Sequence, residues 1–577
     1  MGVKERRTLH IERITISGFR GLETTVPLTK GLTLIAGANN AGKTSVIDAL
    51  RCSLLPFNER QGDRRVGIDD FSHASKKEDK RSRLEITTDI VGIKPVDSGR
   101  LISTLTDTSC PGSGRITLRS EIASSGRPRT RYFGGEFGQN DLEAIARESV
   151  RFIFLPALRD AEADLRPGFA NRLSSLLASF APENHSDREE LVKIIQDANE
   201  ALAKVDAVKR SATAVQDRLT GITGEGPFAQ KTQMGFSEAR FDRIVGNLQA
   251  MLGGSNPIQL ADNGLGYNNL LYIAVILAAI QSDKTVPLTV LLIEEPEAHL
   301  HPQLQSRLLE YLESLTSENT QVIVTTHSPQ FASTADLGRV TVLSKLRDGE
   351  PTEARHLANI DVTEKELAHL GRFLDVTKSA ILFAEGVILV EGIAEQLVMP
   401  QLANRLGMSL SEKGIQVISV DGLAFGPFAK LFGIKGLPSK CAIVSDSDPS
   451  EDEEGNQISR SATAEYLTNF ESPQHQVNLA TKTFEWDLAY VNFAKPQILI
   501  EALNNIRPQV GSKLQEQIKD QTFTSADAFA DEFLRRVTAY KGVFAQELAA
   551  VLAMNSQADF SVPQYLQKTL EWVTSGN

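Results

Sequence analysis

Apolar and polar positions along the chain follow two different periods. Strand-type alternation opens the chain over about residues 11–35, resumes near residue 257 and begins again near residue 380. Residues 166–249 instead carry apolar side chains at helical spacing, with charged side chains between them. The pattern therefore predicts an α/β fold interrupted by a helical segment. The apolar stripe of that segment must pack either on a partner subunit or on its own domain.

A glycine-rich turn joins the apolar strand LTLIA to a helix predicted from about Lys43. The turn matches G-x-x-x-x-G-K-[ST], a pattern in which backbone N–H groups and the helix N-terminus point at phosphate oxygens. The lysine then reaches the β- and γ-phosphates, and the threonine hydroxyl binds Mg²⁺. The flanking strand and helix favour this function over a plain glycine turn. The predicted nucleotide-binding residues are Gly37, Asn39, Asn40, Gly42, Lys43 and Thr44.

Two later apolar strands end in residues suited to nucleotide hydrolysis. The first ends in Glu294, predicted to coordinate Mg²⁺ through water, and Glu295, predicted to activate the attacking water. The second ends at His327, which we expect to sense the γ-phosphate. Taken singly, a strand-end acid pair is as easily a solvated loop, and a lone histidine is more often structural. Their order after the glycine-rich turn favours the functional interpretation.

Gly264 and Gly266 open a further helix, LLYIAVILAAI, between the phosphate loop and the acid strand. Glycines at a helix N-terminus predict another anion site. The order of these four motifs resembles that of ABC and SMC-type ATPases, in which the glycine signature completes the nucleotide site of a second copy. The segment departs from Leu-Ser-Gly-Gly and Glu294 replaces the more common Asp, so binding is better supported than fast hydrolysis. No Asn-Lys-x-Asp motif is present in the sequence, which favours ATP over GTP.

A second group of acids follows predicted strands in the C-terminal third, namely Glu391 with Glu395 four residues later, Asp421, and the pair Asp446 and Asp448. If the Asp-x-Asp backbone is extended, both of its carboxylates lie on one side, and parallel strands gather such acids at one sheet edge. Oxygen ligands without nearby His or Cys select Mg²⁺ or Mn²⁺ over zinc. Two such ions can stabilise the attacking and leaving oxygens of a phosphodiester. The spacing is similar to the Toprim signature, with solvated loop acids as the alternative.

Composition and charge narrow the possible partners. The formal net charge of −12 argues against a surface that is basic overall. Contact with nucleic acid would therefore require a local basic patch or bound metal. The basic segment 60–83 and the arginines Arg127, Arg129 and Arg131 are candidates for such a patch. The 3 scattered cysteines predict neither disulfides nor a zinc site. With no signal-peptide pattern and no apolar run near the ~20 residues that cross a bilayer, we expect a cytoplasmic protein without a membrane partner.

Over nearly its whole length the chain resembles the OLD ("overcoming lysogenization defect") ATP-dependent endonucleases, which include the nuclease subunit of the Gabija anti-phage system. The matching segments are GANNAGKT, FLPALRD, IEEPEAHLHP, TTHSP, ILFAEGVILVEGIAE, SDSDP, FEWDLA and KGVFAQELA. The resemblance implies that the metal ligands are Glu391, Glu395, Asp446 and Asp448, and that one or both of Glu485 and Asp487 complete the shell of a second ion. It also implies that Lys541, otherwise an ordinary surface lysine, stabilises charge in the transition state or assists the leaving oxygen.

On this interpretation residues 1–165 and 250–370 form an ABC ATPase domain, residues 166–249 form a helical dimerisation insertion, and residues 378–577 form a Toprim nuclease domain. The catalytic residues would be Glu391, Asp446 and Lys541 in the nuclease and Glu295 in the ATPase. The expected function is ATP-regulated, divalent-metal-dependent cleavage of double-stranded DNA in anti-phage defence.

The expected assembly is a homodimer or higher homo-oligomer, and a helicase-like defence protein is a further candidate partner. Two other functions remain open: an ATP-dependent DNA clamp or nucleotide sensor with an inert Toprim domain, and an RNA-cleaving Toprim nuclease. The full set of acids with Lys541 argues against the inert clamp. The lack of an evident tyrosine nucleophile domain disfavours a topoisomerase, and the ATPase half disfavours a primase.

Overall fold

The structure is a computed structural model of the 577-residue chain. It describes residues 8–56, 64–72, 82–109, 112–157, 165, 172–224, 227, 229–232, 234–235, 238–253, 258–282, 286–317, 319–345, 351–374, 377–422, 425–451, 457–458, 460–555 and 559–575. Part of the basic segment 60–83 and the last residues of FLPALRD therefore lie outside the described residues.

The strands alternate with helices along most of the chain, as an α/β fold requires. In chain order the strands are β1 (His10–Phe19), β2 (Leu22–Pro27), β3 (Leu32–Gly37), β4 (Leu55–Pro56), β5 (Arg83–Val91), β6 (Ser113–Ile122), β7 (Pro128–Gly134), β8 (Asn140–Asp141), β9 (Val150–Leu155), β10 (Met251–Leu252), β11 (Ile258–Gln259), β12 (Leu288–Glu294), β13 (Thr320–Thr326), β14 (Val340–Ser344), β15 (Glu353–His356), β16 (Gly386–Val390), β17 (Ile415–Ser419), β18 (Lys440–Ser445), β19 (Ser450–Glu451), β20 (Gln457–Ile458) and β21 (His475–Leu479).

The helices concentrate in the middle and at the C-terminal end of the chain. They are α1 (Lys43–Ser53), α2 (Pro95–Ser98), α3 (Ala144–Glu148), α4 (Arg172–Phe180), α5 (Ser186–Ala203), α6 (Asp206–Thr223), α7 (Phe241–Gly246), α8 (Leu265–Ser282), α9 (Pro302–Ser314), α10 (Pro329–Thr334), α11 (Glu364–Phe373), α12 (Ile393–Arg405), α13 (Phe425–Ala429), α14 (Ala462–Thr468), α15 (Phe484–Val491), α16 (Gln497–Ile506), α17 (Pro508–Lys519), α18 (Ala526–Val537), α19 (Lys541–Met554) and α20 (Gln564–Thr574). Short 3₁₀ helices include Ile68–Asp70, Leu357–Asn359 and Lys378–Phe383.

Two sheets enclose α1 and build the N-terminal domain. One is antiparallel, in the order β2-β1-β5-β6-β7-β8, and its inward residues Ile16 and Ile86 share a core with Leu50 of α1. The other has the order β15-β14-β3-β13-β12-β9-β4. Its central strands are parallel, and both β3 and β12 are buried along their whole length, as expected for a sheet covered on both faces. The carboxyl ends of β3, β13 and β12 therefore lie side by side.

The segment predicted to be a helical insertion contains α4 to α7. Its two long helices, α5 and α6, bury no side chain in the single chain. Apolar side chains such as Ile194 and Val215 remain exposed on them. Helix α5 also contacts α7, where Cζ of Arg188 lies 4.2 Å from the ring centroid of Phe241. Both packing alternatives left open by the sequence therefore stand.

The C-terminal domain is built on four parallel strands in the order β17-β16-β18-β21. Helices α12, α15 and α16 to α20 cover this sheet, and α12 packs directly on α19. Parallel order again places the carboxyl ends of all four strands at one edge.

The two domains share one hydrophobic core. Leu34 and Val324 of the N-terminal parallel sheet belong to the same buried cluster as Val387 and Ile443 of the C-terminal sheet. The polar segment RDGEPTEARHLANID, residues 347–361, predicts a connector, and this is wrong in part, because Glu353–His356 forms strand β15, paired antiparallel with β14 at the sheet edge. Among the described helices, none has both the length and the apolar character needed to cross a membrane.

Candidate functional site

The glycine-rich turn leaves β3 and enters α1 with a backbone that requires glycine at two positions. Gly42 has a φ of 96°, and a Cβ there would lie 2.8 Å from Cδ2 of Leu22. A Cβ on Gly37 would lie 2.5 Å from the carbonyl oxygen of Leu343. Asn40 also has a positive φ, of 66°. These constraints hold the loop curled at the N-terminus of α1, the conformation in which backbone N–H groups can receive a phosphate.

Lys43 is buried inside this curl. Its ammonium donates hydrogen bonds to the carbonyl oxygens of Gly37 at 2.9 Å and Ala38 at 3.0 Å. Burial lowers the pKa of Lys43, while the nearby carboxylates of Glu295 and Glu297 oppose that effect. The ammonium therefore lies between the loop and the acids that follow β12, where it can meet the phosphates of a nucleotide.

The predicted magnesium ligands lie next to each other. Glu294, at the end of β12, is buried, and burial raises its pKa, opposed by a side-chain hydrogen bond with Thr44. Glu295 follows with a positive φ of 42°. Its Oε1 lies 3.2 Å from Nδ1 of His327, the residue after β13. The ends of β12 and β13 and the start of α1 thus bring together Thr44, Glu294, Glu295 and His327.

Glu297 is a buried acid in the same site to which sequence reasoning assigned no role. The hydroxyl of Thr326 donates a hydrogen bond to its Oε1, and burial raises the pKa of its carboxyl. Its carboxylate also acts on Lys43. Its position in the segment EEPE was visible in the sequence, but its burial depends on the pairing of β12 with β13, which periodicity alone does not reveal.

The predicted glycine signature lies at the exposed start of α8. A Cβ on Gly266 would lie 2.6 Å from the carbonyl oxygen of His299, whereas a Cβ on Gly264 would meet open space. The neighbouring side chains of Leu265 and Tyr267 are exposed. The segment therefore stands on the surface of the chain, within reach of a second molecule.

A cavity of about 150 Å³ connects the nucleotide loop with the C-terminal domain. Its walls are residues 38–41 of the loop, residues 343–345 after β14, and residues 382–385, which lead into β16. The nucleotide loop and the entrance to the second sheet thus share a boundary.

Four acids meet at the carboxyl edge of the C-terminal sheet. Glu391 follows β16, Glu395 lies in the first turn of α12, Asp446 follows β18, and Glu485 lies in the first turn of α15. The Gly392 backbone N–H donates to Oε2 of Glu395 at 3.2 Å, so the helix begins early enough to turn Glu395 toward Glu391.

Burial and mutual repulsion hold protons on this group. Burial, then Glu485 and Glu391, raise the pKa of Glu395 to about 7. Burial, then Glu395 and Glu391, raise the pKa of Asp446 to about 8, although Phe484 donates its backbone N–H to Oδ1 of Asp446 at 2.8 Å. The cluster therefore carries more carboxylate than its surroundings neutralise.

Lys541 supplies a cation from the start of α19. Its Nζ lies 2.8 Å from Oε2 of the buried Glu485. Burial lowers the pKa of Lys541, but Glu485 and Asp446 more than offset this, so the pKa is raised above its ordinary value. The ammonium stays charged at neutral pH and lies beside the acids.

Three acids considered in the sequence point elsewhere. Asp421, after β17, is exposed and pairs with Lys378. Asp448 is exposed with a φ of 44°, so the expectation of an extended Asp-x-Asp backbone is wrong at its second residue. Asp487 is buried, but it accepts the backbone N–H of Thr481 at 2.6 Å. Of the predicted ligands, Asp446 is thus buried within the cluster, Asp448 is exposed, and Asp487 is hydrogen-bonded to the backbone.

Tyr565 and Ser445 are neighbours of the cluster that sequence reasoning missed. Burial, then Asp446 and Asp487, raise the pKa of Tyr565. The Ser445 hydroxyl donates to Oε2 of Glu391 at 3.3 Å. A tyrosine in a C-terminal helix carries no local signal for such a position, whereas Ser445 directly precedes Asp446 and could have been proposed.

The cluster fits a divalent cation by its chemistry. Its donors are carboxylate oxygens, which suit Mg²⁺ or Mn²⁺, and a cation would relieve the repulsion that raises the pKa values of Asp446 and Glu395. In the described residues, no set of three or more His, Cys, Asp or Glu side chains is already arranged around one ion position. Binding would therefore require the carboxylates to converge.

Three family models match parts of this chain. The family model described as "AAA ATPase domain" matches residues 136–332, and the model described as "AAA domain" matches residues 13–219. The model described as "Overcoming lysogenization defect protein-like, TOPRIM domain" matches residues 382–448. The predicted fold class, an ATPase domain followed by a Toprim domain, is confirmed.

The relatives extend over most of the chain. The OLD nuclease of Thermus scotoductus is 24% identical over 451 residues, which are 76% of this chain and 82% of that protein. Endonuclease GajA of Bacillus cereus is 22% identical, over 58% of this chain and 57% of that protein. The solved C-terminal region of the Burkholderia pseudomallei OLD protein is 25% identical and covers 33% of this chain and 97% of that chain, with a TM-score of 0.27. The chain is thus similar to OLD nucleases over most of its length, and its ATPase-domain matches precede its match to the OLD-like TOPRIM domain.

Proposed function

We propose that this protein is an ATP-regulated, divalent-metal-dependent endonuclease that cleaves double-stranded DNA. The observation that carries the proposal is the contact between Lys541 and Glu485 beside Glu391, Glu395 and Asp446. A buried acid cluster with one charged lysine lowers the free energy of unfolding. Such perturbed groups are typical of functional sites, here one that binds a metal ion and a phosphodiester. Homology to the OLD nucleases and to GajA supports the same activity.

Glu391, Glu395, Asp446 and Glu485 would hold the divalent ions, with Asp448 and Asp487 as candidates for an outer position. Bound Mg²⁺ or Mn²⁺ supplies Lewis-acid stabilisation of the attacking and leaving oxygens. The protein's own contribution begins with Lys541, whose raised pKa keeps a proton available beside the acids. From its place beside Glu485, the Lys541 ammonium would face the developing negative charge on the phosphate or protonate the leaving oxygen.

ATP would act on this reaction through the nucleotide site. Gly37, Asn39, Asn40, Gly42, Lys43 and Thr44 would bind the phosphates, Glu294 with Thr44 would hold Mg²⁺, and Glu295 with His327 would address the γ-phosphate. The cavity shared by residues 38–41 and 382–385 supports a direct influence of the nucleotide on the entrance to the Toprim sheet. Glu297, close to Lys43 and bonded to Thr326, would help to position that lysine.

A dimer is the assembly that this arrangement favours. Helices α5 and α6 bury no side chain in one chain, and the start of α8 with Gly264 and Gly266 is exposed. A second copy would cover the exposed faces of α5 and α6. Its nucleotide site would receive the start of α8. A role in anti-phage defence, and a helicase-like partner, are suggested by the family resemblance alone.

The nuclease is tested by incubating the purified protein with supercoiled plasmid while Mg²⁺, Mn²⁺ and ATP are varied independently. We expect nicked or linear product only with divalent metal, and a rate that changes with ATP. Asp446→Ala protein, prepared in parallel, should give no product while still binding ATP, which excludes a contaminating nuclease. An RNA strand of matching sequence separates the DNA and RNA functions. Metal-independent product, or equal product from the Asp446→Ala protein, would refute the proposal, and absence of product with either nucleic acid would favour the clamp.

A further inference from the structure

A second cavity, of about 300 Å³, lies at the opposite end of α1 from the nucleotide loop. Four arginines line it: Arg51 from the last turn of α1, Arg64 and Arg65 from the segment that precedes the 3₁₀ helix Ile68–Asp70, and Arg147 from α3. Arg51 is eight residues after Lys43, roughly 12 Å along the helix, so this cavity is separate from the nucleotide loop.

Among the described residues around the cavity, arginines outnumber acidic side chains. Asp48 binds both Arg20 and Arg51, and Asp70 binds both Arg20 and Arg64, at 2.7–2.8 Å. Arg65 and Arg147 have no carboxylate partner among the residues that the structure describes. No acidic side chain is found among the described residues that line the cavity. Burial raises the pKa of the Cys52 thiol to about 12, so it adds no negative charge.

The guanidinium groups are also held in place before any ligand binds. Cζ of Arg147 lies 3.6 Å from the ring centroid of Tyr132, and Cζ of Arg51 lies 3.8 Å from that of Phe154. Nε of both arginines is buried and has no hydrogen-bond partner within the described part of the chain. The Tyr132 hydroxyl donates to the carbonyl oxygen of Cys52 at 3.1 Å. Stacking thus fixes the planar forks of Arg51 and Arg147, and a planar guanidinium fork suits bidentate binding of phosphate oxygens.

We propose that this arginine cavity is a second phosphate-binding site, which takes a phosphate group of a nucleotide or of a nucleic-acid strand. Its volume is at the lower limit for small-ligand sites, enough for a phosphate with its sugar. Arg65 and Arg147 supply the uncompensated charge, and Arg51 and Arg64 supply further N–H donors. Burial of their partners Asp48 and Asp70 keeps those acids directed at Arg20, Arg51 and Arg64 rather than at the ligand.

The test uses full-length protein carrying Lys43→Ala, so that the nucleotide loop does not dominate the signal. Calorimetry with inorganic pyrophosphate should detect one remaining site. Arg65→Ala and Arg147→Ala, each added to this background, should weaken pyrophosphate binding tenfold or more, since each removes charge-assisted hydrogen bonds. Arg147→Lys keeps the charge and the packing volume but loses the planar fork, so an intermediate affinity is expected. The matched control is Arg100→Ala, at an exposed arginine that does not line the cavity, which should leave the pyrophosphate affinity unchanged.

A duplex DNA titration of the same proteins identifies the source of the phosphate. If the arginine variants weaken duplex binding by a similar factor and reduce its salt slope by about one unit per charge, the ligand is a DNA strand. If duplex binding is unchanged while pyrophosphate binding is lost, the ligand is a free nucleotide or phosphate compound. Failure of the Lys43→Ala protein to bind pyrophosphate, or equal affinity in the arginine variants, would overturn the inference.

Discussion

The Nζ atom of Lys541 lies 2.8 Å from Oε2 of Glu485, so an ion pair joins the first turn of α19 to the first turn of α15. Both residues face Asp446, which acts on the pKa of Lys541. Because 56 positions separate them in the chain, only the packing of the helices on the Toprim sheet brings them together.

Substitution Lys541→Ala should reduce the single-turnover rate of plasmid nicking by ~10²-fold or more, because it removes charge that stabilises the transition state. DNA affinity, measured alongside, should change little. Lys541→Arg should restore little activity, since the larger guanidinium does not readily give up a proton. The exposed Lys568 offers a control, and Lys568→Ala should retain the full rate. Equal losses of affinity and rate would make Lys541 a DNA-binding residue instead.

The pKa values of Glu395 and Asp446 predict how metal-free stability depends on pH. Burial raises them to about 7 and about 8, so the folded chain holds protons that the unfolded chain releases near pH 4. Stability should therefore fall as pH rises through this window. In EDTA, Tm should decrease between about pH 5.5 and pH 8.5, and added Mg²⁺ should raise Tm more at the higher pH.

The variant Asp446→Asn isolates this effect from other titrating groups. Its amide does not ionise, so the decrease of Tm with pH should be shallower than in the unmodified protein, and Mg²⁺ should raise Tm less. The same Mg²⁺-induced rise in both proteins at high pH would show that the ion binds elsewhere.

Lys43→Ala should weaken ATP binding strongly, because the ammonium is the P-loop side chain that reaches the phosphates. Nicking should persist but lose its response to ATP. Equilibrium binding of a fluorescent ATP analogue and nicking at two ATP concentrations measure both effects. The exposed Lys30, which precedes β3, provides a control. Lys30→Ala should bind ATP and respond to it as the unmodified protein does. A full response of nicking to ATP in the Lys43→Ala protein would show that the P-loop does not regulate the nuclease.

The exposed stripe of α5 and α6 should carry the dimer contact. Ile194 and Val215 are 53% and 45% exposed, so Ile194→Glu with Val215→Glu should leave the folded chain stable but weaken association. Light scattering after size exclusion should then give a lower mass. Val96→Glu, at a residue 81% exposed in the antiparallel-sheet region, should leave the mass unchanged. A double variant with unaltered mass would place the interface elsewhere.

Sequence patterns predicted those parts of the sites that depend on strand ends. Lys43, Glu294 and His327 follow or flank buried apolar strands, and parallel pairing of β3, β13 and β12 makes them neighbours. Glu391 and Asp446 follow the same rule in the Toprim sheet. Periodicity is informative here because a strand buried on both faces has an uninterrupted apolar run.

The remaining features depend on contacts that local pattern does not contain. Strand β15, with the sequence EARH, lies at a sheet edge and has no apolar alternation, so its pattern predicts a connector. Asp448 is exposed with a left-handed backbone conformation, and Asp421 pairs with Lys378, and the local pattern reveals neither feature. Lys541 was identified only by resemblance, since its environment is built by helices far apart in the chain.

Residues 38–41 of the nucleotide loop and residues 382–385 at the entrance to the Toprim sheet are walls of one cavity. The ATPase and Toprim domains are consequently not exchangeable without effect on each other, even though each has its own sheet and its own set of acids. A hybrid protein with the Toprim domain of a relative would also have one wall of this cavity replaced by that relative's residues. The response of such a hybrid to ATP should depend on how well residues 38–41 and 382–385 pack against each other. Restoring the response would require compensating substitutions in both segments.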